Sequence, residues 1–134
     1  MMYVLDSNII SYILKGDEAV KKRFYAETKA GHEFALIPTV YYEVQRGLLA
    51  KRMSKRLAEF EELCQNMHEM QFNKHIWRKS AQIYASLSQQ GKLIPDGDIF
   101  IAAFCVLNSL ALVTHDKNHF ERIEGLSFAS WKDS

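Results

Sequence analysis

The stretch MYVLDSNII, residues 2–10, begins with four apolar residues and then meets an acidic one, Asp6. A short apolar run of this kind, rich in strand-forming side chains, is typical of a strand buried inside a sheet. Apolar residues return after Asp6 and predict one or two helical turns over residues 8–14, which stop at Gly16. The stretch therefore predicts a buried strand followed directly by a helix, with a carboxylate at their junction.

The rest of the chain continues this alternation of short apolar strands with helices. Further strands are predicted at residues 34–37, at Met70 with Phe72, and at 110–114. Helices are predicted from a cap at Asp17 to Lys29, from a cap at Thr39 through Leu48, over 53–67, from a cap at Asn73 to Gly91, and over 97–107. Strands that alternate with helices favour an α/β fold with a mostly parallel central sheet flanked by helices. We therefore expect one α/β domain over residues 1–134.

Composition limits the class of protein. The chain has 134 residues and a mass of 15.5 kDa, with 48% hydrophobic and 25% charged residues. These values are ordinary for one globular domain and exclude disordered and disulfide-built classes. Seventeen basic and sixteen acidic residues leave a formal charge of +1, so the chain lacks an overall basic field of the kind that many nucleic-acid binders carry.

The cysteines and the distribution of apolar residues indicate a location. Cys64 and Cys105 match no zinc or redox spacing, and a domain of this size needs no disulfide, which favours a reducing compartment. The N-terminal stretch lacks the basic residues of a signal peptide. The longest nearly apolar stretch, residues 99–113, is shorter than the ~20 residues of a membrane helix. We therefore expect a soluble, cytoplasmic protein without membrane contact.

Four acidic residues share one place in the predicted sheet. Asp6 and Asp116 follow strands that end at the same edge of a parallel sheet. Glu43 and Asp98 lie near the starts of helices that begin at that edge, where open α/β sheets bind their ligands. Carboxylates that share a small site need a compensating charge, which a hard divalent cation supplies. The pattern therefore predicts a site for Mg²⁺ or Mn²⁺, ions that commonly serve phosphate chemistry.

A structural role for the same acids is the alternative. Helix-start acids such as Asp98 are ordinary capping residues, Glu43 can be a solvated helix residue, and Asp116 can cap the turn after it. Asp6 fits this alternative least, because an acid directly after a buried strand usually has a partner or a purpose. On this interpretation the chain is a protein-binding module without catalysis. Asp6 at a strand end also suits an enzyme that forms an aspartyl phosphate on this residue. Enzymes of that kind resembling haloacid dehalogenases carry a second Asp two residues later, where this chain has Asn8.

Three sequence motifs resemble those of the PIN-domain ribonucleases. MYVLDSNII resembles their first strand and its Asp-Thr/Ser-Asn ending, and PDGDIFIAA, residues 95–103, resembles their Asp-x-x-Ile-Ala-Ala helix start. LVTHD, residues 112–116, followed by FERIEGL, residues 120–126, is similar to their fourth strand and the segment after it. The motifs occur in order and at the family's spacing over nearly the whole chain. The group that they resemble most is the VapC-type toxins of type II toxin–antitoxin pairs.

The resemblance implies a Mg²⁺-dependent endoribonuclease with a PIN-like fold. One or two Mg²⁺ or Mn²⁺ ions would be bound, and the RNA products would carry 5′-phosphate and 3′-hydroxyl ends. The metal site and the catalysis would depend on four carboxylates, those of Asp6, Glu43, Asp98 and Asp116. Four supporting residues would surround them: Ser7 in place of the commoner Thr, Asn8 and Thr114 as hydrogen-bonding partners of ligands or water, and Asp96 as a helix cap or an outer ligand.

The same resemblance implies the partners of the protein. They are an RNA substrate whose identity the motifs leave open, a VapB-type antitoxin that covers or enters the site, and a second copy of the chain in a homodimer. A PIN-type nuclease outside toxin–antitoxin pairs would share the motifs and stays an alternative.

Five basic residues lie close together after Glu43, and no acid interrupts them: Arg46, Lys51, Arg52, Lys55 and Arg56. Such a run can be solvated helix surface, a ridge that contacts RNA phosphates, or a docking surface for an acidic antitoxin segment. Without these five residues the chain is net acidic, so its charge of +1 is compatible with an RNA-cleaving enzyme that relies on local charge.

Two histidines flank the fourth acid. His115 and His119 are four residues apart, which is the spacing of a helical metal pair. His115 ends a predicted strand, so the two side chains are not expected to share a helix face. We therefore interpret them as a surface or loop pair without a metal.

Overall fold

The structure, a computed structural model, describes residues 1–132; residues 133 and 134, the last two of the predicted domain, lie outside the described residues. Within residues 1–132 the strands are β1 (Met2–Leu5), β2 (Glu33–Leu36), β3 (His68–Glu69), β4 (Ala111–Val113) and β5 (Phe128–Ala129). The helices are α1 (Ser7–Lys15), α2 (Glu18–Lys29), α3 (Pro38–Ala50), α4 (Ser54–Cys64), α5 (Lys74–Gln89), α6 (Asp96–Asn108) and α7 (Lys117–Phe120). The strands form one parallel sheet in the order β3-β2-β1-β4-β5, which confirms the predicted α/β class.

β1 lies at the centre of the sheet, between β2 and β4. Tyr3 is in register with Phe34 on one side and with Ala111 on the other. The last two residues of β1 are at most 1% exposed, which explains why this strand is an unbroken apolar run and does not alternate with polar residues. The pairing of Leu5 with Val113 brings the residues that follow β1 and β4 to the same edge of the sheet.

One hydrophobic core joins the sheet to the helices. α6 contributes six buried residues to it and packs against α5. Phe60 of α4 and Phe120 of α7 are fully buried. Because α7 is only one turn long, the burial of Phe120 is what holds this helix against the rest of the fold. No helix within residues 1–132 combines the length and the apolar character that a membrane-spanning segment requires.

The capping residue predicted for α3 is wrong. The helix begins at Pro38, one residue before Thr39, and Ile37 occupies the N-cap position without a side-chain hydrogen bond. Proline is favoured at the first helical position because its missing N–H would have no partner there. The Thr39 hydroxyl is buried without a hydrogen-bond partner among the described residues.

Three further differences concern short elements and boundaries. The strand predicted at Met70 and Phe72 lies earlier in the chain, because β3 ends at Glu69, the residue before Met70. Met70 still donates its backbone N–H to the carbonyl of Leu36 in β2. The helix predicted over 53–67 ends at Cys64. β5 was not predicted, because a strand of two residues has no alternation to detect and exists through its pairing with β4.

Candidate active site

Asp6 occupies the centre of the site, at the junction of β1 and α1. It is the N-cap residue of α1, and its Oδ1 accepts a hydrogen bond of 2.7 Å from the Ser7 backbone N–H. Its Oδ2 accepts a second hydrogen bond of 2.7 Å from the Thr114 hydroxyl, which follows β4. Asp6 is 2% exposed and Thr114 is fully buried, so both oxygens of this carboxylate have fixed positions.

Asp116 is connected to the same strand ends by two hydrogen bonds. Its backbone N–H donates to the Thr114 hydroxyl oxygen at 3.0 Å, and its Oδ2 accepts from the Asn8 amide at 3.0 Å. The amide oxygen of Asn8 in turn accepts from the backbone N–H of His115 at 3.4 Å. Asn8 and Thr114 therefore contact the two acids that they were predicted to orient.

Glu43 reaches the site from α3, where it is half-buried. Its Oε2 accepts a hydrogen bond of 3.3 Å from the Ser7 hydroxyl. Its other oxygen lies against Gly97 in the first turn of α6, where a Cβ atom would overlap Oε1 and would lie 3.2 Å from Cδ. The sequence contains Gly97 inside a recognised motif, but its role in admitting Glu43 was not predicted.

Asp98 contacts a histidine that sequence analysis did not assign to the site. Its Oδ2 lies 2.7 Å from Nδ1 of His119, and the two side chains are 13% and 36% exposed. Asp98, Asp116 and His119 each offer one ligand atom, and these atoms lie within 4.8 Å of one another. The interpretation of His115 and His119 as a surface or loop pair did not anticipate the contact of His119 with Asp98. The sequence feature that could have assigned His119 to the site is the three-residue spacing between Asp116 and His119, which places both side chains on one side of a helix start.

His115 is directed elsewhere. Its ring packs edge-on against Tyr12, with 5.7 Å between the ring centroids, and its Nδ1 is buried without a hydrogen-bond partner among the described residues. His115 precedes α7, so the two histidines do not lie on one helix, as predicted.

Asp96 does not act as a helix cap. It is the first residue of α6, while Pro95 occupies the N-cap position without a side-chain hydrogen bond. The predicted cap is wrong because the backbone at Asp96 is already helical. Its side chain is exposed and has no hydrogen bond or ion pair among residues 1–132.

Burial makes negative charge unfavourable in this cluster. It raises the pKa of Asp6 to about 7, and the charges of Asp98 and Asp116 add to this increase, while the hydrogen bond from Thr114 opposes it. Burial also raises the pKa of Glu43 and that of Asp98 above their ordinary values. Several carboxylates with raised pKa values in one small site fit a hard divalent cation, whose positive charge would stabilise their ionised forms.

Of the five clustered basic residues, Arg46 has an electrostatic effect on a site acid. The charge of Arg46 offsets a small part of the burial-driven rise in the pKa of Glu43, and its guanidinium lies over the Tyr42 ring, 5.1 Å from the centroid. Lys51 and Arg52 lie in the connection between α3 and α4, and Lys55 and Arg56 lie in the first turn of α4, where Arg56 is half-buried near Met53. The exposed members there are Lys51, Arg52 and Lys55.

Comparisons with known proteins identify the family of this chain. The chain matches the PIN domain family over residues 3–126. It is 28% identical over 133 residues to ribonuclease VapC2 of Haemophilus influenzae, covering 98% of each chain. The structure superposes on a chain of VapBC2 from Rickettsia felis with a TM-score of 0.89 and 22% sequence identity. The superposition covers 98% of this chain and 100% of the other, and VapBC2 was solved bound to a DNA fragment from its promoter.

A further solved structure extends the comparison. It is VapBC-5 from Mycobacterium tuberculosis, a member of the VapBC family of toxin–antitoxin systems. The TM-score is 0.70 with 20% identity, and 96% of each chain is covered. The resemblance found in the sequence is thus confirmed by the family match, by the fold and by the curated relatives. The chain belongs to the PIN domain family.

Proposed function

We propose that this chain is a metal-dependent endoribonuclease that acts as the toxin of a type II toxin–antitoxin pair. The observation that carries the proposal is the convergence of Asp6, Glu43, Asp98 and Asp116 at the carboxyl edge of the sheet, with the pKa of Asp6 raised to about 7. The curated relatives, which are ribonucleases of the VapC type, support the activity, and the structural similarity to a member of the VapBC family of toxin–antitoxin systems supports the biological role.

The metal site would be formed by the four carboxylates, with Mg²⁺ or Mn²⁺ as the ion. When bound, the ion would lower the pKa of a water molecule and offset the charge that develops on the phosphate in the transition state. The donor set supports this assignment because it is made of carboxylate oxygens, of which those of Asp6 are buried, and because neutral donors hold Asp6, Glu43 and Asp116 in place.

The supporting residues keep the carboxylates in place before RNA binds. Thr114 and the Ser7 N–H each hold one oxygen of Asp6, so the side chain cannot rotate. Asn8 holds Asp116, and the Ser7 hydroxyl holds Glu43. A carboxylate that is already oriented loses little conformational freedom when it takes its ligand, which favours binding and catalysis.

The reaction would be hydrolysis of one phosphodiester bond. The oxygen of a water molecule would bond to phosphorus, and the bond from phosphorus to O3′ would break. The departing O3′ would take a proton, so the products would carry a 5′-phosphate and a 3′-hydroxyl.

The RNA strand would be held by its phosphates. The charge of Arg46 acts on Glu43, and Lys51, Arg52 and Lys55 are exposed between the end of α3 and the first turn of α4. Lysine and arginine contacts with phosphates position a nucleic acid without selecting its sequence.

Two protein partners complete the proposal. A VapB-type antitoxin would inhibit the enzyme by covering or entering the acidic site. A homodimer is supported by large apolar side chains exposed on two helices, for which a second copy would provide cover. These side chains are Tyr42 and Leu49 on α3 and Trp77 and Tyr84 on α5, which are 47–61% exposed.

The test is cleavage of RNA by the purified protein. Wild-type protein should cut with Mg²⁺ or Mn²⁺ and should stop when EDTA is added, while Asp6→Asn and Asp98→Asn should be inactive. Glu124→Gln, which removes an exposed acid in the segment after α7, is the matched control and should cut normally. Cleavage that persists in both aspartate variants, or in EDTA, would disprove the proposal.

A further inference from the structure

His119 is the histidine that contacts a site acid within residues 1–132. Two other histidines, His32 and His68, pair with glutamates outside the site at 3.6 and 3.2 Å. His119 is held toward Asp98 by its position in α7, because the next residue, Phe120, is fully buried in the core. Its own backbone N–H donates to the Asp116 carbonyl at 3.1 Å.

The separations suit two ligands of one ion. Adjacent ligand atoms around a six-coordinate ion with bonds of about 2.1 Å lie about 3 Å apart, and opposite ones lie about 4.2 Å apart. Nδ1 of His119 is at a hydrogen-bond distance of 2.7 Å from Oδ2 of Asp98, and a ligand atom of Asp116 lies within 4.8 Å of both, so adjustments of about 0.5 Å would let the three atoms share one ion. The short helix α7, which begins after Asp116, thus brings the imidazole of His119 within reach of two of the site acids.

We propose that His119 is a nitrogen ligand of the metal ion, together with Asp98 and Asp116, and that it makes this site prefer Mn²⁺ to Mg²⁺. The inference rests on the proposed metal-dependent function and makes it more specific. Mg²⁺ strongly favours oxygen ligands, whereas imidazole suits transition metals. A nitrogen among the carboxylates therefore increases the affinity for Mn²⁺ more than the affinity for Mg²⁺.

The first experiment detects the nitrogen directly, without measuring activity. Pulsed electron paramagnetic resonance of the full-length protein loaded with Mn²⁺ should show the ¹⁴N coupling of a bound imidazole. His119→Asn should remove this coupling, and His75→Asn, which alters an exposed histidine near the start of α5, should keep it. His119→Glu, which retains a ligand at the position, should still bind Mn²⁺ but without the nitrogen coupling.

The second experiment measures the preference between ions. By titration calorimetry, His119→Asn should weaken Mn²⁺ binding about tenfold and should change Mg²⁺ affinity by less than about threefold. Urea unfolding without metal should show that each variant is folded.

These experiments distinguish failure of the proposed role of His119 from failure of the proposed metal dependence. Mn²⁺ that binds wild-type protein without nitrogen coupling, or equal losses for both ions in His119→Asn, would overturn the role of His119 and leave the carboxylate site standing. Failure of wild-type protein to bind either ion would overturn both the role of His119 and the proposed metal dependence.

Discussion

The Thr114 hydroxyl donates a hydrogen bond of 2.7 Å to the carboxylate of Asp6, which lies 108 positions earlier in the chain. The same hydroxyl oxygen accepts the backbone N–H of Asp116. One side chain thus connects the ends of the two central strands and two of the four site acids. Because Thr114 is fully buried, no water molecule can replace these bonds without a local rearrangement.

Thr114→Val should destabilise the protein by about 1–3 kcal/mol, because it keeps the volume of the side chain but leaves the Asp6 carboxylate and the Asp116 N–H without their partner. Urea unfolding at neutral pH measures the change. Thr114→Ser retains the hydroxyl and should lose much less. Equal stability of the valine variant and the wild type would show that the hydrogen bonds contribute nothing net.

Gly97→Ala should reduce activity and metal affinity without reducing the stability of the fold. The new Cβ would displace the flexible end of Glu43 from its place, so RNA cleavage and Mn²⁺ affinity should fall about tenfold or more. Stability should stay level or rise slightly, because alanine is about 0.5–1 kcal/mol better than glycine inside a helix.

Gly47→Ala is the matched control for this substitution. Gly47 also lies in a helix, α3, but its Cβ would meet no atom within 4 Å. It should gain the same stability and keep full activity. Loss of activity in both variants would mean that the overlap with Glu43 is not the cause.

The metal-free protein should become less stable as the pH rises from about 4 to about 7. The pKa of Asp6 is about 7 in the folded chain but has its ordinary value of 3.8 in the unfolded one, so the folded state binds the extra proton between these values. Stability is therefore greatest at the acidic end of this window and declines by about 2–4 kcal/mol across it. Urea unfolding in EDTA at several pH values measures the decline.

Asp6→Asn should reduce this pH dependence, since the residue can no longer titrate, and should leave the part that comes from Glu43 and Asp98, whose pKa values are also raised. Glu124→Gln should leave it unchanged. A metal-free wild type whose stability rises through the same window would contradict the raised pKa of Asp6.

Replacement of Lys51, Arg52 and Lys55 by glutamine should weaken RNA binding and reduce its dependence on salt. Each lost phosphate contact lowers the slope of log affinity against log salt by about 0.7 for a single strand. Filter binding in EDTA, which keeps the RNA intact, measures both quantities. The control removes three exposed lysines elsewhere, at positions 22, 29 and 74. The same loss in the control would show that only net charge matters and not this surface.

The sheet and its four acids could be predicted from the sequence because each rests on local pattern. β1 is an apolar run with an acid after it, and the parallel arrangement fixes where that acid lies. His119 could not be assigned in this way, since its contact with Asp98 spans 21 residues and depends on how α7 packs beside α6. β5 was missed for a related reason, because its two residues become a strand only through their pairing with β4.

The close approach of Glu43 to Gly97 has a consequence for how these two positions can change during evolution. A lineage that acquires any side chain at position 97 has to shorten or move the acid at position 43, so substitutions there should occur together. The combination of Gly97→Ala with Glu43→Asp imitates such a paired change, and it should recover part of the metal affinity that Gly97→Ala alone removes.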